Sequence, residues 1–332
     1  MTRFVTEIVR ELNKISEVEL FLLVTNIDQT VTFPENKYII SNWPTSPLEF
    51  FQSLRLNKYG FDAVFSPHYF FGGAFRKFIL IRTVFDLIAF RYPYIGSSLQ
   101  WKLFYSTKCF LKRFIHHSDG IATISETVKK QIEEISDRPI GMIGCASMSF
   151  EVQNRGNTKN LLYIGRYESY KNIEVLIHAM DGLEDYTLLL AGNCSEQRKS
   201  ILLKDSRSKD RILFLGRIDD GEYFRLLESC FALVMPSKDE GFGLPVIEAM
   251  NAGCPVICSD TPIFREVAGD AALFFALDNP HELAKQIRAL EAPDLRQTMG
   301  EKASFNLKRF SWKTCANELI RFIHKLLEKP AL

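Results

Sequence analysis

The second half of the chain alternates short, largely apolar runs with segments that carry a helical pattern. The apolar runs are Leu161–Ile164, Thr187–Ala191, Ile212–Leu215, Ala232–Met235 and Pro255–Cys258. The helical segments between them are Asn172–Met180, Ser195–Leu203, Asp220–Ser229 and Pro245–Ala252. Strands that are apolar throughout are buried on both faces, and single helices between them are the connections of a parallel sheet. This half of the chain is therefore predicted to form a parallel α/β domain.

The first half of the chain shows the same alternation less regularly. Its strand candidates are Val18–Val24, Ala63–Ser66, Phe78–Phe85 and Ile121–Ile124, and its helix candidates are Arg3–Asn13, Leu99–His116 and Glu126–Ile135. At about 150 residues per domain, the 332 residues of the chain predict two domains. The polar, aperiodic stretch 151–159 is the candidate linker. We expect an N-terminal α/β domain over residues 1–152 and a C-terminal one over residues 159–310.

Composition excludes several classes of protein. The chain has 41 Lys and Arg against 40 Asp and Glu, and this balance argues against a general nucleic-acid binder. It has no run of 18 apolar residues and no signal-like N-terminus, so we predict no transmembrane helix. Its seven cysteines form neither a CxxC pair nor a metal pattern with histidine. Cys254 and Cys258 are predicted to pack in the core, and the chain is expected to be cytoplasmic and metal-free.

A glycine-rich loop with acidic residues follows one strand candidate, over residues 236–245. Gly241 and Gly243 allow backbone N–H groups to approach a ligand closely, and the N-terminus of the next helix favours an anion. Glu240 in the loop and Glu248 in the first turns of that helix are acceptors for hydroxyl groups. Anion-binding amides beside hydroxyl-binding acids suit a sugar nucleotide. Alternatively, both acids are solvated and the glycines only turn the chain.

A second loop, after the first strand of the C-terminal domain, carries two cations. Arg166 and Lys171 lie where open α/β sheets bind their ligands, at the carboxyl end of the strand Leu161–Ile164. Arg binds phosphate oxygens in a bidentate manner and Lys as a point charge, so the pair suits a diphosphate. The alternative is a pair of exposed surface cations.

Together these segments resemble the family-four glycosyltransferases, retaining sugar transferases of the GT-B type with two Rossmann-like domains facing a cleft. The family's Glu-x7-Glu signature matches Glu240 and Glu248, and its Gly-Arg…Lys loop matches Gly165, Arg166 and Lys171. Further matches are Leu190–Gly192, Leu215–Gly216, Pro255–Asp270 and Phe310–Trp312. The resemblance is strong over about residues 115–325 and weak in the N-terminal part.

The resemblance implies roles for individual residues. Arg166 and Lys171 would bind the diphosphate of the donor and stabilise the leaving phosphate, while Glu240 would hold hydroxyls of the donor sugar. These three are the expected catalytic residues. Glu248 would accept hydrogen bonds from the ribose. Donor-binding groups are also expected from Gly241, Phe242, Gly243 and Leu244. The resemblance implies neither a metal nor a cofactor besides the nucleotide sugar, because the cations and the helix dipole neutralise the leaving group.

The resemblance also implies a C-terminal helix, residues 311–332, that crosses back to the N-terminal domain. Family members begin with a strand and a glycine-rich loop, whereas Thr2–Ile8 already resembles the helix that follows them. We therefore expect an N-terminal domain without its first strand, from a late start codon or a truncation, or else a divergent domain.

Phe85 precedes Asp86 where the family often has His-Asp. An imidazole role there is lost or moved, with His68 as a candidate unless it is structural or solvated.

Basic and aromatic residues interleave between Arg76 and Arg113, where Asp86 is the only acidic residue. This pattern suits an anionic membrane surface, where each near-surface cation contributes about 1 kcal/mol. Alternatively, the aromatic residues belong to the core and the cations form a solvated face. We expect peripheral docking on the inner membrane leaflet through residues 76–117.

The expected function is transfer of a hexose from a nucleotide sugar to a polysaccharide or lipid-linked oligosaccharide, as in lipopolysaccharide O-antigen synthesis. GDP-mannose is the first candidate donor, with UDP- and dTDP-hexoses as the others. Two alternatives use the same donor-binding residues: a non-catalytic donor-binding scaffold subunit, and a phosphorylase on the same fold.

Overall fold

The computed structural model describes residues 2–24, 33–40, 51–67, 73, 75–92, 115–147 and 158–328. The chain divides into two compact units. Unit 1 comprises Met1–Cys145 together with Ser311–Leu332, and unit 2 comprises Ala146–Phe310. Most of the predicted linker, residues 151–157, lies outside the described residues. No helix in the described part of the chain has the length and apolarity needed to cross a membrane.

Unit 1 contains two parallel sheets. Its elements before the last helix are α1 (Thr2–Leu12), β1 (Phe21–Val24), β2 (Lys37–Ile40), α2 (Gln52–Leu56), β3 (Ala63–Ser66), β4 (Ile79–Val84), α3 (Ile88–Arg91), β5 (Gly120–Thr123), α4 (Glu126–Glu133) and β6 (Ile140–Met142). Strands β1 and β2 pair with each other, and β3, β4, β5 and β6 form a four-stranded sheet in that order. Strand β4 lies inside this sheet, and Leu80, Ile81 and Val84 on it are fully buried.

Unit 2 is a six-stranded parallel sheet with its helices. Its elements are β7 (Asn160–Ile164), α5 (Ile173–Ala179), β8 (Thr187–Ala191), α6 (Glu196–Leu203), β9 (Ile212–Gly216), α7 (Asp220–Ser229), β10 (Ala232–Met235), α8 (Leu244–Asn251), β11 (Val256–Ser259), α9 (Pro262–Ala268), β12 (Leu273–Phe275), α10 (Pro280–Ala289) and α11 (Pro293–Leu307). The spatial order is β9-β8-β7-β10-β11-β12. The order therefore reverses between β7 and β10, and ligands of such sheets bind outside the carboxyl ends of the strands at this reversal.

Every strand predicted in the second half of the chain overlaps an observed strand, and β8 and β10 match residue for residue. The prediction missed β12, which has three residues and pairs only with β11. Such a short edge strand has no detectable pattern of its own. The prediction that Cys254 and Cys258 are core residues is confirmed, because their side chains are 5% and 0% exposed.

The last helix, α12 (Trp312–Leu327), belongs to unit 1. It begins after Ser311, whose hydroxyl accepts a hydrogen bond from the Thr314 amide. Phe322 on this helix packs against the sheet at Gly141, where an added Cβ would lie 2.4 Å from its ring. The helix thus requires glycine in the strand that it covers.

Candidate functional site

The loops after β7 and β10 are joined by an ion pair at the reversal of strand order. Lys171 Nζ donates to Glu240 Oε1 over 2.6 Å, and the two side chains are only 11% and 12% exposed. The Ser237 hydroxyl donates to the same oxygen over 2.8 Å. Among the described residues, no group donates a hydrogen bond to the second oxygen, Oε2. Glu240 therefore keeps an acceptor oxygen for a ligand hydroxyl.

The backbone around Lys171 explains why this lysine points towards the loop after β10. Asn172 has a φ of +53°, a left-handed conformation that Asn tolerates better than most residues. Its side-chain amide donates to the Leu277 carbonyl over 2.7 Å. The Lys238 amide donates to the Tyr170 carbonyl over 2.7 Å and so joins the two loops again. The short turn that carries Lys171 is thus fixed on both sides.

Arg166 and Lys171, predicted as a pair of phosphate-binding cations, flank the ring of Tyr170. The Arg166 guanidinium donates to the Tyr170 hydroxyl over 2.9 Å, and Lys171 Nζ lies 5.1 Å from the ring centroid. The side chain of Arg166 is 63% exposed, in contrast to Lys171. Burial raises the pKa of Tyr170, and the two cations oppose that rise. The structure therefore offers one largely exposed cation, Arg166, whose Nε lies 3.4 Å from Glu168 Oε1, and one buried cation, Lys171, which is paired with Glu240.

The glycine-rich loop leads into α8 through a residue that has to be glycine. Gly243 has a φ of +88°, and an added Cβ would lie 2.9 Å from the Phe264 ring. Phe242 is buried and packs edge-on against Phe310, with ring centroids 5.7 Å apart. Gly241 is buried and Leu244 half-buried. The loop before α8 is therefore held in place by the packing of Phe242 against Phe310 and of Gly243 against Phe264.

Glu248 is the second acidic residue of the predicted site, one turn into α8. It is 5% exposed, and its Oε2 accepts a hydrogen bond from the Tyr223 hydroxyl over 2.9 Å. A buried carboxylate requires such partners, because removing the charge from water costs several kcal/mol. Glu248 is thus a buried, hydrogen-bonded carboxylate. The alternative that Glu248 is a solvated surface acid is excluded.

A cavity of about 600 Å³ opens at the carboxyl ends of β7, β8 and β9. Its polar lining includes Arg166, Glu168, Asn193, Ser195, Arg198 and Arg217. Arg198 is held by Glu174 over 2.6 Å, whereas Arg217 contacts no acidic side chain among the described residues. Lys171, Glu240 and Glu248 do not line this cavity. Arg166 is the predicted residue that connects the cavity with the ion pair.

The sequence argument missed Tyr223, Ser237 and Arg217. Arg217 directly follows the Leu215–Gly216 match at a strand end, so the rule for ligand sites at carboxyl ends would have found it. Ser237 lies inside the glycine-rich loop and carried no signal of its own. Tyr223 lies in the middle of α7, where its position indicates only a core residue.

Several expected features lie in unit 1 or outside the described residues. His68 and residues 93–114, which include most of the basic and aromatic stretch, are outside them. Phe85 packs edge-on against Phe4, with ring centroids 5.0 Å apart. The carboxylate of Asp86 accepts a hydrogen bond from the Ile88 amide over 3.0 Å. No group of three or more His, Cys, Asp or Glu side chains that could hold a metal occurs in the described ranges.

Residues 147–304 match the family model of "Glycosyl transferases group 1". Over 216 residues the chain is 31% identical to the O-antigen chain mannosyltransferase RfbU of Salmonella typhimurium. The match covers 63% of this chain and 60% of that protein. The chain thus spans less than two thirds of this relative's length.

Two solved structures share the fold over nearly the whole chain. Sucrose-phosphate synthase from Thermosynechococcus elongatus has a TM-score of 0.75 at 21% identity, covering 98% of this chain and 92% of that one. HepE from Anabaena in complex with UDP and glucose has a TM-score of 0.71 at 12% identity, covering 96% and 94%. These neighbours identify the fold as GT-B, with two Rossmann-like domains.

Proposed function

Residues 147–304 match the group 1 glycosyltransferase family model, and we propose that this chain is a member of that family that transfers a hexose from a nucleotide sugar to a glycan acceptor. The observation that carries the proposal is the buried Lys171–Glu240 pair, 2.6 Å long, at the reversal of strand order in unit 2. A cation for phosphate and an acid for sugar hydroxyls are already in contact there. A donor with both groups would bind both side chains at once.

Each predicted residue takes one part of the donor in this proposal. Lys171 and the accessible Arg166 bind the diphosphate and stabilise the charge that develops on the leaving phosphate. Oε2 of Glu240 accepts a hydrogen bond from a hydroxyl of the sugar, and Glu248 accepts from the ribose. The cavity beside Arg166 receives the remainder of the nucleotide. Backbone groups of Gly241, Phe242, Gly243 and Leu244 contact sugar or phosphate.

The finer substrate assignment is also a proposal. The name of RfbU, an O-antigen chain mannosyltransferase, supports GDP-mannose as the first donor to test and surface-glycan assembly as the process. We propose a retaining reaction without a metal, with a polysaccharide or lipid-linked oligosaccharide as acceptor. A peripheral position on the inner membrane leaflet, through residues 76–117, would bring a lipid-linked acceptor close.

The proposal is tested by thermal unfolding and turnover with UDP-, GDP- and dTDP-hexoses. We expect one nucleotide sugar to raise the unfolding temperature of the wild type and to be hydrolysed slowly. Glu240→Gln keeps the size of the side chain but removes its charge, and should lower hydrolysis at least about 100-fold, as when a group that stabilises the transition state is lost. Glu184→Gln, at an exposed glutamate of the same unit, is the matched control and should behave as the wild type.

The other outcomes separate the alternatives. Stabilisation without turnover, in the presence of candidate acceptors, would favour a donor-binding scaffold subunit. Release of a sugar 1-phosphate that depends on added inorganic phosphate would favour a phosphorylase. If no nucleotide stabilises the wild type, the proposed function is wrong for this chain.

A further inference from the structure

Helices α7 and α8 precede and follow β10 in the sequence, and two side-chain contacts join α7 and its following residue to α8 and its following loop. Near the site, the Tyr223 hydroxyl on α7 donates to Glu248 Oε2 on α8 over 2.9 Å. Just beyond the C-terminal ends of the two helices, Cys230 Sγ lies 3.2 Å from Cys254 Sγ. These two contacts together restrict the rotation of α7 relative to α8. The position of the Tyr223 hydroxyl is therefore set by the fold.

The start and the end of this helix pair are also fixed. The Asp219 carboxylate caps α7 by accepting a hydrogen bond from the Glu222 amide over 2.8 Å. Helix α8 ends in a Schellman motif, in which the Gly253 amide bonds to Met250 and the Cys254 amide to Ala249. These caps fix where each helix begins or ends, while the Tyr223–Glu248 bond and the Cys230–Cys254 contact hold the two segments against each other. The Tyr223–Glu248 bond is thus part of a rigid frame.

The bond from the Tyr223 hydroxyl restricts the Glu248 carboxylate without filling it. An ionised carboxylate accepts about four hydrogen bonds, so this bond to Oε2 does not prevent the carboxylate from accepting a bond from a ligand. A tyrosine hydroxyl is protonated at neutral pH and can only donate to a carboxylate. Tyr223 is 4% exposed, so water does not replace it in this position. The hydroxyl therefore determines the orientation in which Glu248 meets its ligand.

We propose that Tyr223 is a positioning residue for the nucleotide: its hydroxyl holds Glu248 in the orientation that binds the ribose hydroxyls. This inference rests on the proposed function, because it assigns a partner to the carboxylate that binds the ribose. It extends that function by adding a residue on α7, outside both loops of the predicted site. It also means that recognition of ribose depends on the packing of α7 against α8.

The test measures how well the protein distinguishes a ribonucleotide from its deoxy counterparts. Calorimetric titrations use GDP and UDP, each with its 2′-deoxy and 3′-deoxy form, against wild type and Tyr223→Phe. We expect the wild type to bind the ribonucleotide about tenfold more tightly than at least one deoxy form, as for a hydrogen bond to a charged group. Tyr223→Phe should reduce this preference to about twofold or less, because Glu248 is no longer oriented.

The matched control is Tyr186→Phe. It removes another tyrosine hydroxyl of unit 2 that donates to a glutamate, Glu291, over 2.8 Å, at the opposite end of the sheet. It should keep the wild-type preference for ribose. Thermal unfolding of both variants shows whether a loss of affinity reflects a loss of folded protein.

Combining Tyr223→Phe with Glu248→Gln tests whether the tyrosine acts through the glutamate. In the Glu248→Gln background, Tyr223→Phe should change affinity by less than about twofold, since non-additivity marks residues that act together. Equal losses for ribonucleotides and deoxynucleotides would overturn the proposal and leave a merely structural tyrosine. An unchanged preference in Tyr223→Phe would overturn it as well. If dTDP binds the wild type but neither GDP nor UDP does, this inference is overturned while the proposed function stands. If none of the three nucleotides binds the wild type, the proposed function fails together with this inference.

Discussion

Adding a methyl group at Gly192 should distort the backbone of the candidate site. Gly192 has a φ of +134°, and an added Cβ would lie 2.0 Å from the Gly165 carbonyl oxygen. A carbon and a carbonyl oxygen normally approach no closer than about 3.3 Å, so the ends of β7 and β8 would have to separate by roughly 1 Å. The Gly192 amide also donates to the Gly216 carbonyl over 2.7 Å. The change therefore loosens the ends of three strands that line one cavity.

The expected cost of Gly192→Ala follows from two contributions. A non-glycine residue in left-handed backbone costs about 1–2 kcal/mol, and overpacking against a fixed neighbour costs about 1–3 kcal/mol. We expect a loss of about 2–5 kcal/mol in the free energy of unfolding, together with weaker nucleotide binding. The matched control is Gly300→Ala in the middle of α11, where an added Cβ meets nothing within 4 Å. It should stabilise the protein by about 0.5–1 kcal/mol.

The assay has to report on unit 2 specifically. The three tryptophans, Trp43, Trp101 and Trp312, all lie outside residues 146–310, so tryptophan fluorescence does not follow unit 2. Urea unfolding followed by circular dichroism reports on the whole chain, and hydrogen exchange of peptides from β7 and β8 assigns the change to unit 2. A Gly192→Ala variant with wild-type unfolding and exchange would refute the close approach of the two loops.

Two further predictions concern charge. Hydrogen bonds from Lys159 lower the pKa of Asp185 to about 2, below its ordinary value, and also lower the pKa of Glu291. The stabilisation by Asp185 should therefore be complete above about pH 4 and disappear as the pH falls towards about 2. The difference in unfolding free energy between wild type and Asp185→Asn should shrink over that range, and a constant difference would contradict it. Secondly, co-sedimentation with anionic phospholipid vesicles should occur at low salt and fall as salt increases; absence of binding at low salt would remove the proposed membrane contact of residues 76–117.

The sequence predicted the strands of unit 2 well because parallel strands buried on both faces are apolar at every position. Leu188, Leu189 and Leu190 of β8, all buried, leave no other interpretation. In unit 1, β2 was missed because Lys37 and Ile40 are exposed on a two-stranded sheet, which blurs any alternation. A strand is thus easier to predict from the sequence when more of its surface is buried.

The candidate site was predicted residue by residue but not as an arrangement. The motifs identified Lys171 and Glu240, yet only the strand order brings these two loops together to form an ion pair. Tyr223 is 25 residues away from Glu248 in the chain, on a helix whose pattern indicates only packing. A contact of that kind depends on how two helices are rotated, which no local spacing encodes.

The membership of α12 in unit 1 has a consequence for synthesis of the protein on the ribosome. At about 5–20 residues per second, the intervening segment 146–310 takes roughly ten to thirty seconds to emerge. During that interval the strand surface at Gly141, which Phe322 later covers, has no helix over it. Unit 2 is continuous in sequence and can finish folding first, although it is translated second. Unit 1 is therefore the part of the nascent chain that waits longest for its last element, and the part that needs protection from aggregation.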